Sequence, residues 1–459
     1  MLLKNCLYRR LSLTTFFVIY LVVFARAQDG SSAVLAGFHS SCREKLLNML
    51  PDSSVAVFFS AAPKNMSADV DYPYHQDADF YYLTGYREPS AVLILLKLDY
   101  TSAVLFVPPR DTASEIWTGR RMGVEGAKKI LGMDTVFSLE KIESYNIDNQ
   151  YIKHVYIKPL NEYNSGSRVA GDLSKSVMRK FQASGIKPDE SLLPSLIPVL
   201  RAVKSEEETA WMKRAAAITC DAQKELMRTL DTSMYEYQAQ AVVEYVFKSE
   251  GAEEPAFPSI LGSGENSCIL HYESNRKKMQ GGELLVADIG AGYRGYAADV
   301  TRTMPVNGKF SAEQAAVYNI VLHAQEAGIN ACRPGVPFGF PGKVAMDSLA
   351  AGLKRLGIIR ENDELRKYIP HGISHYVGLD VHDAGPADTL RPGNVITVEP
   401  GIYIPAGSPC DRKWWNTGVR IEDDILITGA GFEVLSAAAP KDIPSVEALM
   451  RKPSRIRGR

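Results

Sequence analysis

Cysteine and histidine are both scarce in this chain, which has six cysteines and eight histidines among 459 residues. The cysteines are widely spaced, and no Cys-x-x-Cys pair occurs. Disulfide frameworks are typical of small secreted domains, whereas a chain of this length can bury a core of its own. The cysteines after residue 27 are odd in number, so we expect at least one unpaired thiol.

The chain also lacks an excess of charge of either sign, with 52 basic and 53 acidic side chains. It therefore has no electrostatic footprint for nucleic acid, and we expect no nucleic-acid partner. A hydrophobic fraction of 46% and a charged fraction of 23% are those of an ordinary soluble globular protein. The length predicts two domains.

A long apolar run occurs at the amino terminus. Basic residues precede an apolar segment from Leu11 to Phe24, and residues 25–27 (Ala-Arg-Ala) form a small-x-small cleavage site. This order predicts a secretory signal peptide over residues 1–27 and an exported protein, periplasmic or secreted, without stable membrane insertion. The alternative is an uncleaved membrane anchor. Cleavage before Gln28 would remove four basic residues and no acidic one, which changes the formal net charge from −1 to −5.

The rest of the sequence divides at a proline-marked linker, Leu193–Lys204. Residues 31–200 alternate strand-like and helical segments, which predicts a smaller amino-terminal α/β domain. Residues 201–440 contain a helix pair followed by strands, and this order occurs twice. We therefore predict an α/β (α+β) fold whose larger domain is a pseudo-two-fold repeat of helix pair and sheet. Residues 441–459 form a basic carboxyl-terminal tail, whose end should be frayed.

Three Ser-x-x-Glu/Gln sequences mark predicted helix starts in the larger domain. In such a capping box, two side chains accept hydrogen bonds from free backbone N–H groups of the first turn. Predicted strands follow the helices, among them Glu283–Pro305 in the first half and Tyr368–Tyr376 in the second. The three predicted capping boxes are Ser205/Glu208, Ser233/Glu236 and Ser311/Gln314.

Three of the eight histidines lie in one short segment, HGISHYVGLDVHD, at residues 371–383. A His-x3-His pair on a helix can bind zinc, with a Glu beside the first His. Here Gly372 stands at that position, and the β-branched residues that follow favour strand and turn. By itself the segment leaves two interpretations open, a cluster of hydrogen-bonded imidazoles or a functional site. Its histidines are His371, His375 and His382.

An acidic hairpin gives the first indication of specific chemistry. The segment ELLVADIGAGYRGYAADVTRTM contains a Gly-x-Gly-x-x-Gly pattern, but strand-like residues follow where a dinucleotide fold requires a helix. Folded about Tyr293 and Arg294, it would place Asp288 opposite Asp299, with their Cβ atoms about 5 Å apart. Opposed carboxylates among apolar neighbours are destabilising unless a cation lies between them, so the hairpin predicts metal binding rather than a solvated edge.

The second half-repeat supplies further candidate ligands. Glu399 is the only acid in the apolar stretch NVITVEPGIYI, and alternation in GVRIEDDILIT places Arg420, Glu422 and Asp424 on one face. Four carboxylates and one imidazole carry too much negative charge for one divalent ion and suit two. Oxygen ligands with a single His favour Mn²⁺, with Co²⁺ or Zn²⁺ able to occupy the same site. The predicted ligands are Asp288, Asp299, His375, Glu399 and Glu422.

In this order the ligands resemble those of the pita-bread metallopeptidases, which include methionine aminopeptidase, prolidase and aminopeptidase P. The segments GSGENSCILHY (262–272), HGISHYVGLDVHD, VEPGIYI and GVRIEDD are similar to aminopeptidase P motifs in particular. The segments DADFYYLTGYREPSAVLIL (77–95) and EIWTGRRMG (115–123) resemble its amino-terminal domain. The resemblance implies a pita-bread catalytic domain, an accessory amino-terminal domain and a homo-oligomer, either a dimer or a tetramer.

The resemblance also implies an activity, the release of the first residue from peptides with proline at the second position by a hydroxide that two metals share. Glu399 would in addition shuttle a proton to the leaving proline nitrogen. His271 and His382 would stabilise the tetrahedral intermediate. The residues that would shape the prolyl pocket are His371, Tyr403 and Arg420. For the metals, Asp288 would chelate one ion, His375 and Glu399 the other, and Asp299 and Glu422 both.

Three alternatives differ in class or substrate. Prolidase uses the same metals and cleaves the same bond, but it is restricted to dipeptides. A non-catalytic binding module and a creatinase-like enzyme would both lack the metal ligands, which are present here. The amino-terminal motifs favour aminopeptidase P, although no single residue excludes prolidase.

Overall fold

The computed structural model describes residues 34–147, 149–160, 168–183 and 185–456. The chain divides into two compact units, Met1–Leu200 and Arg201–Arg459. The predicted signal peptide lies outside the described residues. None of the helices described here combines the length and the apolar character that a membrane span needs.

The first unit is built on a mixed five-stranded sheet with the strand order β6-β5-β4-β1-β7. The outer pairs β5–β6 and β1–β7 are parallel, and the inner pairs are antiparallel. The central strands are continuous apolar runs because they are buried on both faces. The strands are β1 (Ser54–Phe59), β2 (Asn65–Ser67), β3 (Val70–Asp71), β4 (Val92–Lys97), β5 (Thr101–Val107), β6 (Thr135–Ser138) and β7 (His154–Ile157).

Helices complete this unit. The sequence predicts one helical stretch over Thr112–Leu131, but the structure has two helices there, the first ending before Gly119 and the second beginning at Gly123. Both glycines have positive φ angles, 82° and 60°, which a regular helix does not allow. The helices cover residues 34–49, Ala78–Thr84, Thr112–Thr118, Gly123–Ile130, Arg168–Ala183 and Leu192–Ala202, with short 3-10 helices at Leu139–Lys141 and Asn149–Tyr151.

The predicted linker is not an irregular segment. Leu192–Ala202 is a helix with Pro198 inside it, and its apolar residues Leu193 and Ile197 are buried. The boundary between the two units falls within this helix, between Leu200 and Arg201. Proline removes one backbone hydrogen bond from a helix, and the burial of the apolar side chains offsets that loss.

A buried histidine makes the stability of the first unit depend on pH. His39 donates from Nδ1 to the carbonyl of Tyr82 at 3.0 Å, and its burial lowers the imidazole pKa from 6.5 to about 4. Between these two values the unfolded chain binds more protons than the folded chain, so stability should be lost as the pH falls from 6.5 towards 4. A shift of this size corresponds to about 3 kcal/mol.

We expect the unfolding temperature of the first unit to fall between pH 7 and pH 5, and His39→Asn to reduce this fall. Calorimetric scans at both pH values measure the effect. The matched control is His154→Asn, because His154 is exposed. A fall that is unchanged in His39→Asn would contradict the assignment.

The second unit contains two helix pairs, and the two helices within each pair pack against each other. The order helix, helix, strands occurs twice, as the sequence predicts. A single hydrophobic core includes residues of both halves, such as Leu285, Val321 and Ile425. The helices are Glu206–Thr229, Glu236–Ser249, Ala312–Ala331, Phe340–Arg355 and Ile443–Met450, with 3-10 helices at Gly264–Cys268, Asn362–Lys367 and Arg412–Trp414.

Each half carries a long antiparallel hairpin that is interrupted in its middle. In the first half β10 pairs with β13 and β11 with β12, and in the second half β14 pairs with β17 and β15 with β16. The strands are β8 (Glu254–Pro255), β9 (Ile260–Ser263), β10 (Leu284–Ile289), β11 (Ala291–Tyr293), β12 (Tyr296–Ala297), β13 (Val300–Pro305), β14 (Val395–Val398), β15 (Gly401–Ile404), β16 (Thr417–Arg420), β17 (Asp423–Thr428) and β18 (Gly431–Val434).

Two of the three predicted capping boxes are present, at Ser205/Glu208 and Ser311/Gln314. The third prediction was wrong, because the helix begins at Glu236 after Tyr235, whose N–H donates to Gln238. Glu236 has a different role. Its buried carboxylate accepts hydrogen bonds from four residues of the following loop region, which are Ser263, Asn266, Tyr272 and Lys277.

Two further predictions need correction. Tyr368–Tyr376 is not a regular strand. Its end runs beside β14, but only Tyr376 forms a bridge with a residue of that strand. The carboxyl-terminal tail is not frayed over its described part, because residues 443–450 form a helix and Glu225 accepts bonds from Ser454, Arg455 and Ile456. Four cysteines of the second unit, Cys220, Cys268, Cys332 and Cys410, have free thiols.

Candidate active site

The acidic hairpin forms, but in a different register from the predicted one. Asp288 lies opposite Thr301 rather than Asp299, and the turn residues are Arg294 and Gly295 rather than Tyr293 and Arg294. Both turn residues have positive φ angles, 53° and 83°. A two-residue hairpin turn of this kind favours glycine at its second position, which explains the shift. Because the register moves by two residues, each side chain stays on its predicted face.

Predicted ligands from both halves lie at or beside the interruptions of the two hairpins. In the first half the break falls between β12 and β13 and contains Asp299, whose backbone N–H donates to Asp424 at 3.1 Å. In the second half it separates β14 from β15 and β16 from β17, and it contains Glu399 and Glu422. Residues in these breaks leave the regular ladder, so their carboxylates can converge between the two halves.

One cavity of about 340 Å³ brings all ten predicted site residues together. It is lined by the five predicted ligands and by the five residues to which the resemblance gave substrate contacts. Leu270, Gly372 and Ser374 also line it, although they were not predicted as site residues. The ten are His271, Asp288, Asp299, His371, His375, His382, Glu399, Tyr403, Arg420 and Glu422.

The imidazole of His375 lies at the centre of the carboxylates. Its Nε2 atom is 3.4 Å from Glu399 Oε1, 3.5 Å from Asp299 Oδ2 and 4.0 Å from Glu422 Oε1. Asp299, His375 and Glu422 each offer a ligand atom, and these atoms lie within 4.8 Å of one another. The Nδ1 atom of His375 donates to the carbonyl of Tyr376 at 3.0 Å. The Nε2 atom is therefore unprotonated, and its lone pair faces the carboxylates.

The electrostatics of this cluster fit a divalent cation. Burial, together with neighbouring carboxylates, raises the pKa of Asp299 and of Glu422 well above the usual range, and burial raises that of Glu399 to about 8. Burial also lowers the pKa of His375 to about 4, so its imidazole is neutral at pH 7. Among the described residues, the Oδ1 atoms of Asp288 and Asp299 are buried without a hydrogen-bond partner. Unpartnered carboxylate oxygens and a neutral imidazole are the donors that a metal requires.

A hydrogen-bonded chain of three side chains forms another wall of the cavity. Arg420 donates from Nη1 to the hydroxyl of Tyr403 at 2.9 Å, and that hydroxyl donates to Nε2 of His371 at 2.9 Å. Burial lowers the pKa of His371 to about 4, which keeps the imidazole neutral and able to accept this bond. Arg420 also donates to Asp288 at 2.7 Å, so the chain links the wall to the predicted ligands.

Supporting residues behind the cluster were not recognised in the sequence. Thr301 donates to Glu422 at 2.7 Å, and Thr397 donates to Glu399 at 3.4 Å. Arg302 is fully buried, donates to the carbonyl of Glu422 at 2.7 Å and forms an ion pair with Asp423. The arginine inside the strand VTRTMP was the available signal, since a charge that becomes buried needs a partner.

Comparison with known protein families agrees with this geometry. The family model described as "Metallopeptidase family M24" matches residues 210–429. The model described as "Aminopeptidase P, N-terminal domain" matches residues 39–154. The two matches lie in different compact units of the structure.

Individual proteins are similar over most of the chain. The Xaa-Pro aminopeptidase of Escherichia coli is 37% identical over 89% of this chain and 96% of its own length. The mitochondrial intermediate cleaving peptidase 55 of Arabidopsis thaliana is 34% identical over 89% of this chain and 81% of its own. Among solved structures, zinc-substituted E. coli aminopeptidase P in complex with product has a TM-score of 0.84 and 36% identity, covering 90% of this chain and 98% of that one.

These similarities extend through both units and include the pita-bread fold of the second, which confirms the predicted fold class. The E. coli relative is more than 30% identical and is matched over nearly its whole length, which establishes a shared family. The chain belongs to metallopeptidase family M24 and, within it, to the aminopeptidase P group of metal-dependent enzymes.

Proposed function

We propose that this protein is an Xaa-Pro aminopeptidase, which releases the first residue of a peptide whose second residue is proline. The observation that carries the proposal is the single cavity that holds both the His375–carboxylate cluster and the Arg420–Tyr403–His371 chain. The first is a metal-type donor set, and the second is a set of fixed donors that can bind a substrate. The similarity to Xaa-Pro aminopeptidases over both units supports the same activity.

The residues that would hold two divalent ions are those predicted from the sequence. Asp288 would bind one ion, His375 and Glu399 the other, and Asp299 and Glu422 both. Such ions supply the Lewis acidity that generates a nucleophilic hydroxide from water near neutral pH. We propose Mn²⁺ as the resident metal, because hard oxygen ligands outnumber the single imidazole. Metal analysis of the purified protein tests this identity, and a stoichiometric content of Zn²⁺ or Co²⁺ would contradict it.

The protein's own groups would then orient the substrate and move its protons. Glu399 would carry a proton to the proline nitrogen as the Xaa-Pro bond breaks, because its carboxyl lines the cavity, with Oε1 3.4 Å from Nε2 of His375. His271 and His382 would donate hydrogen bonds to the oxygen that becomes negative in the tetrahedral intermediate. Arg420 lies in fixed contact with Tyr403 and His371, so these three would receive the prolyl ring and the carbonyl that follows it.

Proline at the second position suits a cavity of this kind. An Xaa-Pro bond has no N–H, and the ring fixes the proline φ angle. Peptidases that bind an extended backbone by hydrogen bonds lose one of those bonds at proline. A preformed cavity that binds the ring and the amino-terminal residue does not depend on that N–H group.

We expect the purified, Mn²⁺-loaded protein to hydrolyse a tripeptide Xaa-Pro-Yaa faster than the dipeptide Xaa-Pro, and not to hydrolyse Xaa-Ala-Yaa at a comparable rate. Mass spectrometry of the products measures all three rates. A preference for the dipeptide would instead identify a prolidase. Comparable cleavage of the alanine peptide would remove proline from the specificity. No cleavage of any of the three would contradict the proposed function.

We also propose that the protein is exported after cleavage before Gln28 and that it forms a homo-oligomer. The first proposal rests on the basic, apolar and small-residue order of residues 1–27. The second rests on the resemblance to aminopeptidase P. Amino-terminal sequencing of the mature protein tests the cleavage site, and light scattering tests the assembly. A mature chain that retains residues 1–27, or a monomer, would contradict the respective proposal.

A further inference from the structure

A buried cluster of charges lies behind the cavity, and the proposed mechanism does not use it. Arg201 donates to both Asp383 and Asp380, and Lys204 donates to the second oxygen of Asp383 at 2.9 Å. The side chains of Arg201, Lys204 and Asp383 are only 4%, 1% and 1% exposed. None of these residues lines the cavity. Burying three charges is costly unless their arrangement is closely defined, so the cluster fixes the positions of its members.

Asp383 belongs to a short antiparallel ladder in which it pairs with Tyr376, and each of these two residues directly follows a cavity histidine. Tyr376 pairs antiparallel with Asp383, whose N–H donates to the Tyr376 carbonyl at 2.8 Å. Neighbouring side chains on extended backbone point to opposite sides. His375 and His382 therefore share the front of the ladder, where their ring centroids are 4.4 Å apart and both rings line the cavity. Tyr376 and Asp383 form the back.

Lys204 contacts both residues at the back of the ladder. Its Nζ atom is 2.9 Å from the Asp383 carboxylate and 5.9 Å from the centroid of the Tyr376 ring. The backbone of Lys204 is itself fixed, because its N–H donates to the carbonyl of Gly393 at 2.8 Å. The position at Gly378 has to be glycine, since a Cβ atom there would overlap the Asp383 carboxylate. The Lys204 ammonium group thus fixes the back of the ladder, and the packing at Gly378 leaves no room for a side chain there.

We propose that Lys204, Arg201 and Asp383 act as positioning residues that hold His382 beside His375 at the cavity. The inference rests on the proposed function, in which His382 contacts the reacting substrate. Arg201 fixes one carboxylate oxygen and the turn at Asp380, and Lys204 fixes the other oxygen. His382 precedes Asp383 directly, so movement of Asp383 moves the backbone that carries the imidazole. The cluster acts through His382 and does not itself touch the substrate.

The decisive variant is Lys204→Met, which keeps an apolar stem of similar length and removes the ammonium group. The kcat for Xaa-Pro-Yaa should fall about 10–100-fold, as for other partners that orient a functional group from outside the site. KM should change less than about twofold, because an interaction made only in the transition state lowers kcat alone. Lys204→Arg, which restores the cation, should recover most of the rate. Arg228→Met is the matched control, since Arg228 is a partly buried cation paired with Glu225, away from the ladder.

A double-variant cycle separates positioning from a general loss of structure. In a His382→Ala background, Lys204→Met should cost less than about twofold further, because the residue that it positions is absent. If Lys204→Met keeps its full effect in that background, the proposal is overturned. It is equally overturned if the rate falls in parallel with bound metal and unfolding temperature, or if Lys204→Met leaves kcat within twofold of the unaltered protein.

Histidine NMR tests the cluster without turnover, so it distinguishes this inference from the proposed function. In protein labelled at histidine, the His382 ring signal is assigned by its loss in His382→Ala. Lys204→Met should move or broaden that signal and leave the signal of exposed His323 unchanged. An unaltered His382 signal overturns the inference whatever the activity. Absence of Xaa-Pro-Yaa hydrolysis in the unaltered protein would contradict the proposed function instead.

Discussion

Glu399→Gln should lower kcat for Xaa-Pro-Yaa by a factor of about 100 to 10,000, the range typical of a lost general acid or base. The amide can still offer one oxygen to a metal, but it cannot carry a proton to the proline nitrogen. The carboxyl lines the cavity, with its Oε1 atom 3.4 Å from Nε2 of His375. Steady-state kinetics with metal analysis of the same samples measures the effect.

The matched control for this variant is Glu433→Gln. Glu433 is 46% exposed and pairs with Lys213 at the surface, where an ion pair contributes little. Its kcat should stay within about twofold of the unaltered protein. If Glu399→Gln retains its metal and loses less than about tenfold in kcat, Glu399 does not carry the proton.

Removal of metal should abolish activity and also destabilise the second unit. Four carboxylates lie around one neutral imidazole, so a protein without metal must keep several of them protonated or accept their repulsion. A metal at 100 times its dissociation constant adds about 2.7 kcal/mol to the free energy of unfolding. Dialysis against a chelator, followed by addition of Mn²⁺, should remove and then restore both activity and the higher unfolding temperature.

Two comparisons make this test specific. Added Mg²⁺ should restore less activity than Mn²⁺, because a site with an imidazole ligand suits Mn²⁺ better than an ion that prefers oxygen and water. His39→Asn, whose change lies in the first unit, should respond to chelation like the unaltered protein. Full activity in protein shown to be free of metal would exclude a metal-dependent mechanism.

Local sequence patterns predicted those helices and strands whose conformation depends only on residues within the element itself. Ser205 and Ser311 begin helices because each capping box is complete within four residues. Apolar runs predicted the buried strands for the same reason. Alternation placed Arg420 and Glu422 on one face, and both line the cavity although Glu422 lies in the break between β16 and β17. The residue types of the site could be read because an isolated acid in an apolar segment is unusual.

Features that depend on distant partners could not be read in this way. The turn at Arg294 and Gly295 shifts the hairpin because a positive φ angle is easier at glycine than at Tyr293, and hydrophobic alternation is the same in both registers. Arg302 and Asp423 lie far apart in the sequence, so their pairing appears only in the folded chain. The end of Tyr368–Tyr376 runs antiparallel to β14, where Thr397 donates to His375 and Val377 to Val395, and no pattern within the segment predicts this partner.

The division of the predicted ligands between two interrupted hairpins has a consequence for the order of events during synthesis. Asp288 and Asp299 leave the ribosome early, while Glu399 and Glu422 follow only after the second helix pair has been made. A nascent first half therefore presents two acids and an incomplete site. Domains generally fold as units, so a metal ion can bind this chain firmly only when nearly all of it has emerged. We therefore expect metal uptake to be a late step of maturation that does not guide the early folding of the first half.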